Sequence, residues 1–246
     1  MRVANTVIVQ AVGVDSSQPT NSLPVDVRDD RTIRQADHDR KQRSAGRGLN
    51  ILFIHNRATR FCSELASNMH SHSGLQVRTT ATNLGTQSCP YGSGAHPYLT
   101  LGTATIDGLI LHVPGRTVLR SDERGLPIRR EAVEGTEYDF RRPKGIGSIK
   151  LDHAFTDLER DADGLARVEL RESERETEVS LWVDQSYPYL MLFSGDPLPN
   201  VSRRSLAVEP MTCPPNAFRT GDALIRLEPG ASFTGTWSIT RGSAAS

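Results

Sequence analysis

Val179-Ser180-Leu181-Trp182-Val183 and Tyr189-Leu190-Met191-Leu192-Phe193 stand close together in the chain. The first run has a period of two, as a strand in a sheet does. The second is continuously apolar, which suits a strand buried on both faces. The same texture extends in both directions. Leu75-Gln76-Val77-Arg78-Thr79-Thr80-Ala81-Thr82 alternates, is rich in β-branched residues, and runs into a turn at Asn83-Leu84-Gly85. Leu109–Val113 is a short apolar strand closed by Pro114-Gly115, and Val168-Glu169-Leu170 follows the same pattern. Ala223–Leu227 and Ser232–Ile239 end the series, with Pro229-Gly230 as the turn between them. Turn signals follow most of these runs, and no long stretch has helical periodicity. The pattern predicts an all-β chain, an antiparallel β-sandwich or barrel.

The first 73 residues differ. Of the 14 aromatics in the 246-residue chain, only Phe53 and Phe61 precede Gly74. Asp26–Gly48 is dense in Arg and Asp and poor in large apolar residues. It cannot bury enough surface to offset its ordering entropy, so it reads as a solvated or disordered segment. The Arg and Asp run at 28–43 is read as a solvated face or tail. Val7–Val14 and Leu49–Ile54 are candidate strands, and Phe61–Met69 a candidate short helix. The expected division is a divergent or partly disordered N-terminal segment over 1–73 and a sandwich domain over 74–246. Net charge is zero, which argues against a nucleic-acid or membrane-surface role. No run of about 18 apolar residues predicts a membrane helix. With no clear signal-peptide cleavage site, Cys62, Cys89 and Cys213 are expected as thiols in a cytoplasmic protein.

Two segments stand out for placing a titratable residue beside a stiff backbone. In Gly92-Ser93-Gly94-Ala95-His96-Pro97-Tyr98-Leu99, Pro97 disfavours the helical region at His96 and holds it extended. In Ser205–Phe218, Glu209 ends an apolar strand and precedes Pro210. Each alone has a structural explanation, a satisfied histidine or a strand-end salt bridge. Together they offer a general acid and a general base in one chain. The other candidates are weaker. Trp182 could stack on a sugar, but its alternating strand reads first as core. His70 and His72 have metal-like spacing with nothing to complete a site, so no metal is expected. Cys213 reads as a buried thiol rather than a nucleophile. His153 should point away from Asp152 and is read as structural.

The motifs GAHPYLTLG (Gly94–Gly102), EGTEYDF (Glu134–Phe140), LDHAF (Leu151–Phe155) and AVEPMTCPPNAF (Ala207–Phe218) resemble the aldose 1-epimerases, or galactose mutarotases, in particular their bacterial branch. The resemblance runs from about Gly74 to about Arg241. It implies the mutarotase supersandwich. It also implies interconversion of the α and β anomers of a free aldohexose, a small-molecule sugar, with no cofactor. Matched motif by motif, Glu209 would be the general base, His96 the general acid, and Asp152 the residue that hydrogen-bonds sugar hydroxyls. The enzyme reading is expected to stand only if the two catalytic side chains face one groove with room for a pyranose between them, and to fail otherwise.

Two elements of the family pattern have no match. One is an Asn-Arg pair followed by Ile, and the other a His-Gly pair; Asn56-Arg57 lies in unfitting surroundings, and no His-Gly dipeptide occurs. The sandwich is therefore expected to be incomplete at its N-terminus. His55 or Arg57 could supply replacement groups. The alternatives to an active epimerase are a catalytically impaired carbohydrate-binding protein and a truncated remnant.

Overall fold

The computed structural model describes residues 61–66, 74–172 and 177–243. The strand and tail expectations within 1–60, with His55 and Arg57, lie outside the described residues, as do His70 and His72.

The regular secondary structure of the described chain is almost all strand. In order they are β1 (Phe61–Ala66), β2 (Gly74–Asn83), β3 (Cys89–Tyr91), β4 (Tyr98–Leu99), β5 (Ile110–His112), β6 (Gly115–Ser121), β7 (Pro127–Ala132) and β8 (Lys144–Gly145). There follow β9 (Asp152–Leu158), β10 (Ala166–Glu172), β11 (Thr177–Val183), β12 (Tyr189–Phe193), β13 (Leu206–Met211), the short helix α1 (Ala217–Thr220), β14 (Ile225–Leu227) and β15 (Ser232–Ser243). One antiparallel sheet has the order β1-β2-β15-β11-β10-β5-β8, the second the order β4-β13-β12-β9-β6-β7, and β3 pairs separately with β14.

The two large sheets face each other across one core. Val77, Val168, Leu181 and Trp237 of the first sheet meet Val118, Phe155, Leu190 and Val208 of the second. Alternation along each strand decides which side chains enter it. On β13, Leu206 and Val208 point into the core and Glu209 points out. On β12 the outward side is also apolar: Tyr189 and Met191 pack with Leu119, Ala154 and Met211. The outward side is covered only in part: Tyr189 is buried, while Met191 and Phe193 are half-buried, so the burial on both faces that the continuous apolar run predicts is incomplete.

Two expectations are corrected. Phe61–Ala66 is strand β1, paired antiparallel along β2 from Phe61↔Asn83 to Ala66↔Arg78. Backbone pairing to an existing strand outweighs local helix propensity there; the rest of the predicted helix lies outside the described residues. Trp182 is not core. Val179, Leu181 and Val183 fill the inward positions of β11, so Trp182 is half-buried on the outer face of the seven-stranded sheet.

Candidate active site

The two X-Pro dipeptides meet in one antiparallel register. β13 pairs with β4 at Leu206↔Leu99 and Ala207↔Tyr98. The register continues beyond β4. Val208 N–H donates to the Pro97 carbonyl at 3.1 Å, Ala95 N–H donates to the Pro210 carbonyl at 3.1 Å, and Gly94 bridges Met211. His96 therefore lies directly opposite Glu209. The flanking pairs each lack one hydrogen bond, because Pro97 and Pro210 have no N–H to give. The pair between them is of the non-hydrogen-bonded kind, in which facing side chains approach most closely. His96 Nε2 is 2.9 Å from Glu209 Oε1, with side-chain exposures of 32% and 16%.

That contact sets the electrostatics. The hydrogen bond to Glu209 raises the His96 pKa above its ordinary value, against an opposing effect of burial. A hydrogen bond of this kind favours the protonated form of the imidazole. Tyr98 stands next to it, with ring centroids 4.9 Å apart and planes tilted by 36°. Burial, and then the charge of Glu209, raise the Tyr98 hydroxyl pKa.

The outer face of the six-stranded sheet extends from this pair in two rows. One row is Glu209, Met191, Ala154 and Leu119; the next is Tyr98, Ala207, Phe193 and Asp152. Asp152 is exposed and shares the face of Glu209, two strands away and one row over. Strand spacing and rise put their backbones roughly 12 Å apart. The three sequence-predicted site residues thus share one face. Trp182 lies on the other sheet, remote from it. Met191, Tyr98 and Phe193 were not singled out from the sequence, because only the cross-strand register brings them beside the pair.

One expectation of geometry is not met: the His96 and Glu209 side chains touch and leave no pyranose-wide gap between them. The chemistry does not require such a gap. The anomeric hydroxyl and the ring oxygen are bonded to the same carbon, so adjacent acid and base groups can reach both from one side. Cys213 is half-buried and free. Burial raises its pKa, which favours the thiol over the nucleophilic thiolate. His153 points to the opposite face from Asp152, as alternation predicts, and stacks on Tyr138 with ring centroids 4.7 Å apart. Among the described residues, no group of three or more His, Cys, Asp or Glu side chains is placed to hold a metal ion.

Comparison with known proteins bears on the family and the fold. The family model described as aldose 1-epimerase matches residues 60–240. The chain is 35% identical over 168 residues to the uncharacterized protein YihR of Escherichia coli K12, covering 68% of this chain and 52% of that protein. It therefore spans about half the length of that relative. Among solved structures, it is similar to a GalM/aldose epimerase homologue from C. elegans, with TM-score 0.63 and 15% identity over 78% of this chain and 68% of that one. A galactose mutarotase-like protein from Clostridium acetobutylicum gives TM-score 0.60 and 15% identity over 77% of this chain and 64% of that one. At those identities the structural likeness speaks for the fold, and the family model and the YihR match carry the kinship: this chain belongs to the aldose 1-epimerase family.

Proposed function

We propose that this protein interconverts the α and β anomers of a free aldohexose by acid–base ring opening and closure. The observation that supports this most directly is the His96–Glu209 pair, 2.9 Å apart and part-exposed on a sheet face that also carries Asp152. In this reading Glu209, as carboxylate, takes the proton of the anomeric hydroxyl. His96, as imidazolium, gives its proton to the ring oxygen, and the C1–O5 bond breaks. The open aldehyde turns about C1–C2, the C5 hydroxyl adds to its other face, and the two groups exchange roles. The reaction is redox-neutral and needs no cofactor. Asp152 hydrogen-bonds the sugar hydroxyls, and the apolar strip of Met191 and Ala154 lies beneath the ring. Each positioned acid or base contributes about 10²–10⁴-fold. In this reading the sugar site lies within residues 74–246, and β1, which precedes them, joins the same sheet as β2. The protein works in the cytoplasm, where Cys89 and Cys213 stay reduced.

Polarimetry on freshly dissolved α-glucose and α-galactose tests the reading. The parent accelerates equilibration, and Glu209→Gln lowers kcat by about 10²–10⁴-fold. A Glu209→Gln protein as fast as its parent refutes the assignment. The second reading, sugar binding without efficient turnover, is favoured by the lack of the Asn-Arg-Ile and His-Gly elements in the sequence. Calorimetric binding of sugar without turnover selects it.

A further inference from the structure

We propose that His153 and Arg120 are positioning residues for Asp152, holding the stretch of backbone from which it presents its carboxylate to the sugar. The inference rests on the epimerase reading above. β9 loses one neighbour at this point. Its pairing with β6 runs from Gly115↔Leu158 to Leu119↔Ala154, and just beyond this, between Arg120 and Ser121, the pairing of β6 with β7 shifts register. On the other side, Asp152 and His153 still face Phe193 and Leu192 of β12. Successive residues of an antiparallel strand turn their backbone groups to opposite neighbours. Ser194 N–H donates to the Leu151 carbonyl, so the Asp152 carbonyl turns to the side where β6 pairing has ended. A strand carbonyl left there can take a donor other than a β6 amide.

His153 supplies one. Its Nδ1 bonds the Asp152 carbonyl, and its Nε2 lies 3.3 Å from Arg120 Nη1. A guanidinium only donates, so Nε2 accepts and Nδ1 carries the proton given to Asp152. Tyr138 braces both partners: its ring stacks on His153 at 4.7 Å and lies under the Arg120 guanidinium at 4.8 Å. Glu131 bonds Arg120 from the neighbouring strand at 3.4 Å. A packing role alone could be filled by any ring at 153. This arrangement uses a proton on one nitrogen and a lone pair on the other.

The test compares His153→Phe, His153→Asn, Asp152→Asn and the double variant Asp152→Asn/His153→Phe. Calorimetry with D-glucose and D-galactose reads affinity, and polarimetry reads kcat and KM. His153→Phe keeps the ring against Tyr138 and removes both hydrogen bonds. It raises KM and the dissociation constant about tenfold while kcat stays within about twofold. His153→Asn, whose amide N–H can overlie Nδ1, recovers most of the affinity. The double variant binds no more weakly than Asp152→Asn alone, because both changes act through one carboxylate. An unchanged KM in His153→Phe, or losses that multiply in the double variant, overturns the proposal. If His153→Phe does not fold, Arg120→Gln carries the same comparison. A parent that binds sugar without turnover fails as an epimerase and leaves affinity to decide this point. A parent that neither binds nor equilibrates either sugar overturns both.

Discussion

At the scale of single residues, the His96–Glu209 contact makes a pH-dependent contribution with a definite sign. The folded-state pKa of His96 is raised, chiefly by its hydrogen bond to Glu209. A raised pKa stabilises the folded state fully below the unfolded value, about 6.5 for histidine. That stabilisation is lost as pH rises through the folded value. Denaturation across this range, followed for the parent and Glu209→Gln, is expected to show a fall in stability with rising pH that the variant lacks. An NMR titration of the His96 ring in Glu209→Gln should place its pKa below that of the parent; an unmoved titration would show that Glu209 is not the cause. Both residues were legible from the sequence, since X-Pro dipeptides report an extended backbone. Their contact was not. It depends on Leu99 pairing with Leu206 rather than with a neighbour one position along, which would turn one of the two side chains to the opposite face.

At the scale of elements, the loop between β12 and β13 is tied down by one arginine. Arg203 has a left-handed backbone (φ 55). Its side chain, 13% exposed, bonds Asp107 at 2.6 Å, Asp196 at 3.1 Å and the carbonyls of Gly147 and Ile149. Three loops converge on it beside the start of β9. Arg203→Ala is expected to cost about 2 kcal/mol, because it strands charged and carbonyl partners. Urea unfolding should give a lower midpoint at an unchanged m-value. β6 and β9 were harder to read from sequence than β11 or β12. β6 is GRTVLRS and β9 is DHAFTDL, and both set charged residues beside short apolar runs. Their inward positions, Val118 and Phe155, are fully buried, but two such residues are too few for a clear period. The approach of the two strands is tight. A Cβ at Gly115 would lie 2.8 Å from Phe155 Cβ, so Gly115→Ala is expected to lower the melting temperature through an overpacking cost of about 1–3 kcal/mol.

At the scale of the whole molecule, the two tryptophans show what the pairing of sheets decides. Trp237, 1% exposed, lies between the sheets. It sits in register with Val183 of β11 and Val77 of β2. Trp182 pairs with Ser238 on the outer face. Trp237→Ala should cost about 3–5 kcal/mol, measured by chemical denaturation. Trp182→Ala should cost much less and leave kcat and KM for an aldose within about twofold. A large KM effect at Trp182 would move the sugar site to the other sheet.

The sequence by itself determined that the described chain is β-rich. Its alternating runs, broken by Gly, Pro and Asn turns, allow little else. Its motifs also marked His96, Asp152 and Glu209, because proline neighbours and family patterns are local. The alternation in Val179–Val183 put Trp182 with Ser180, opposite the two valines and Leu181, without saying which of the two faces is the outer one. Which face of each sheet became core was left to the tertiary structure, as was the strand at Phe61–Ala66. Those outcomes depend on contacts between residues as far apart as β2 and β15, and no local window of sequence contains both partners. The site itself has this character. Three legible residues become one face only when β4, β13, β12 and β9 lie side by side in register.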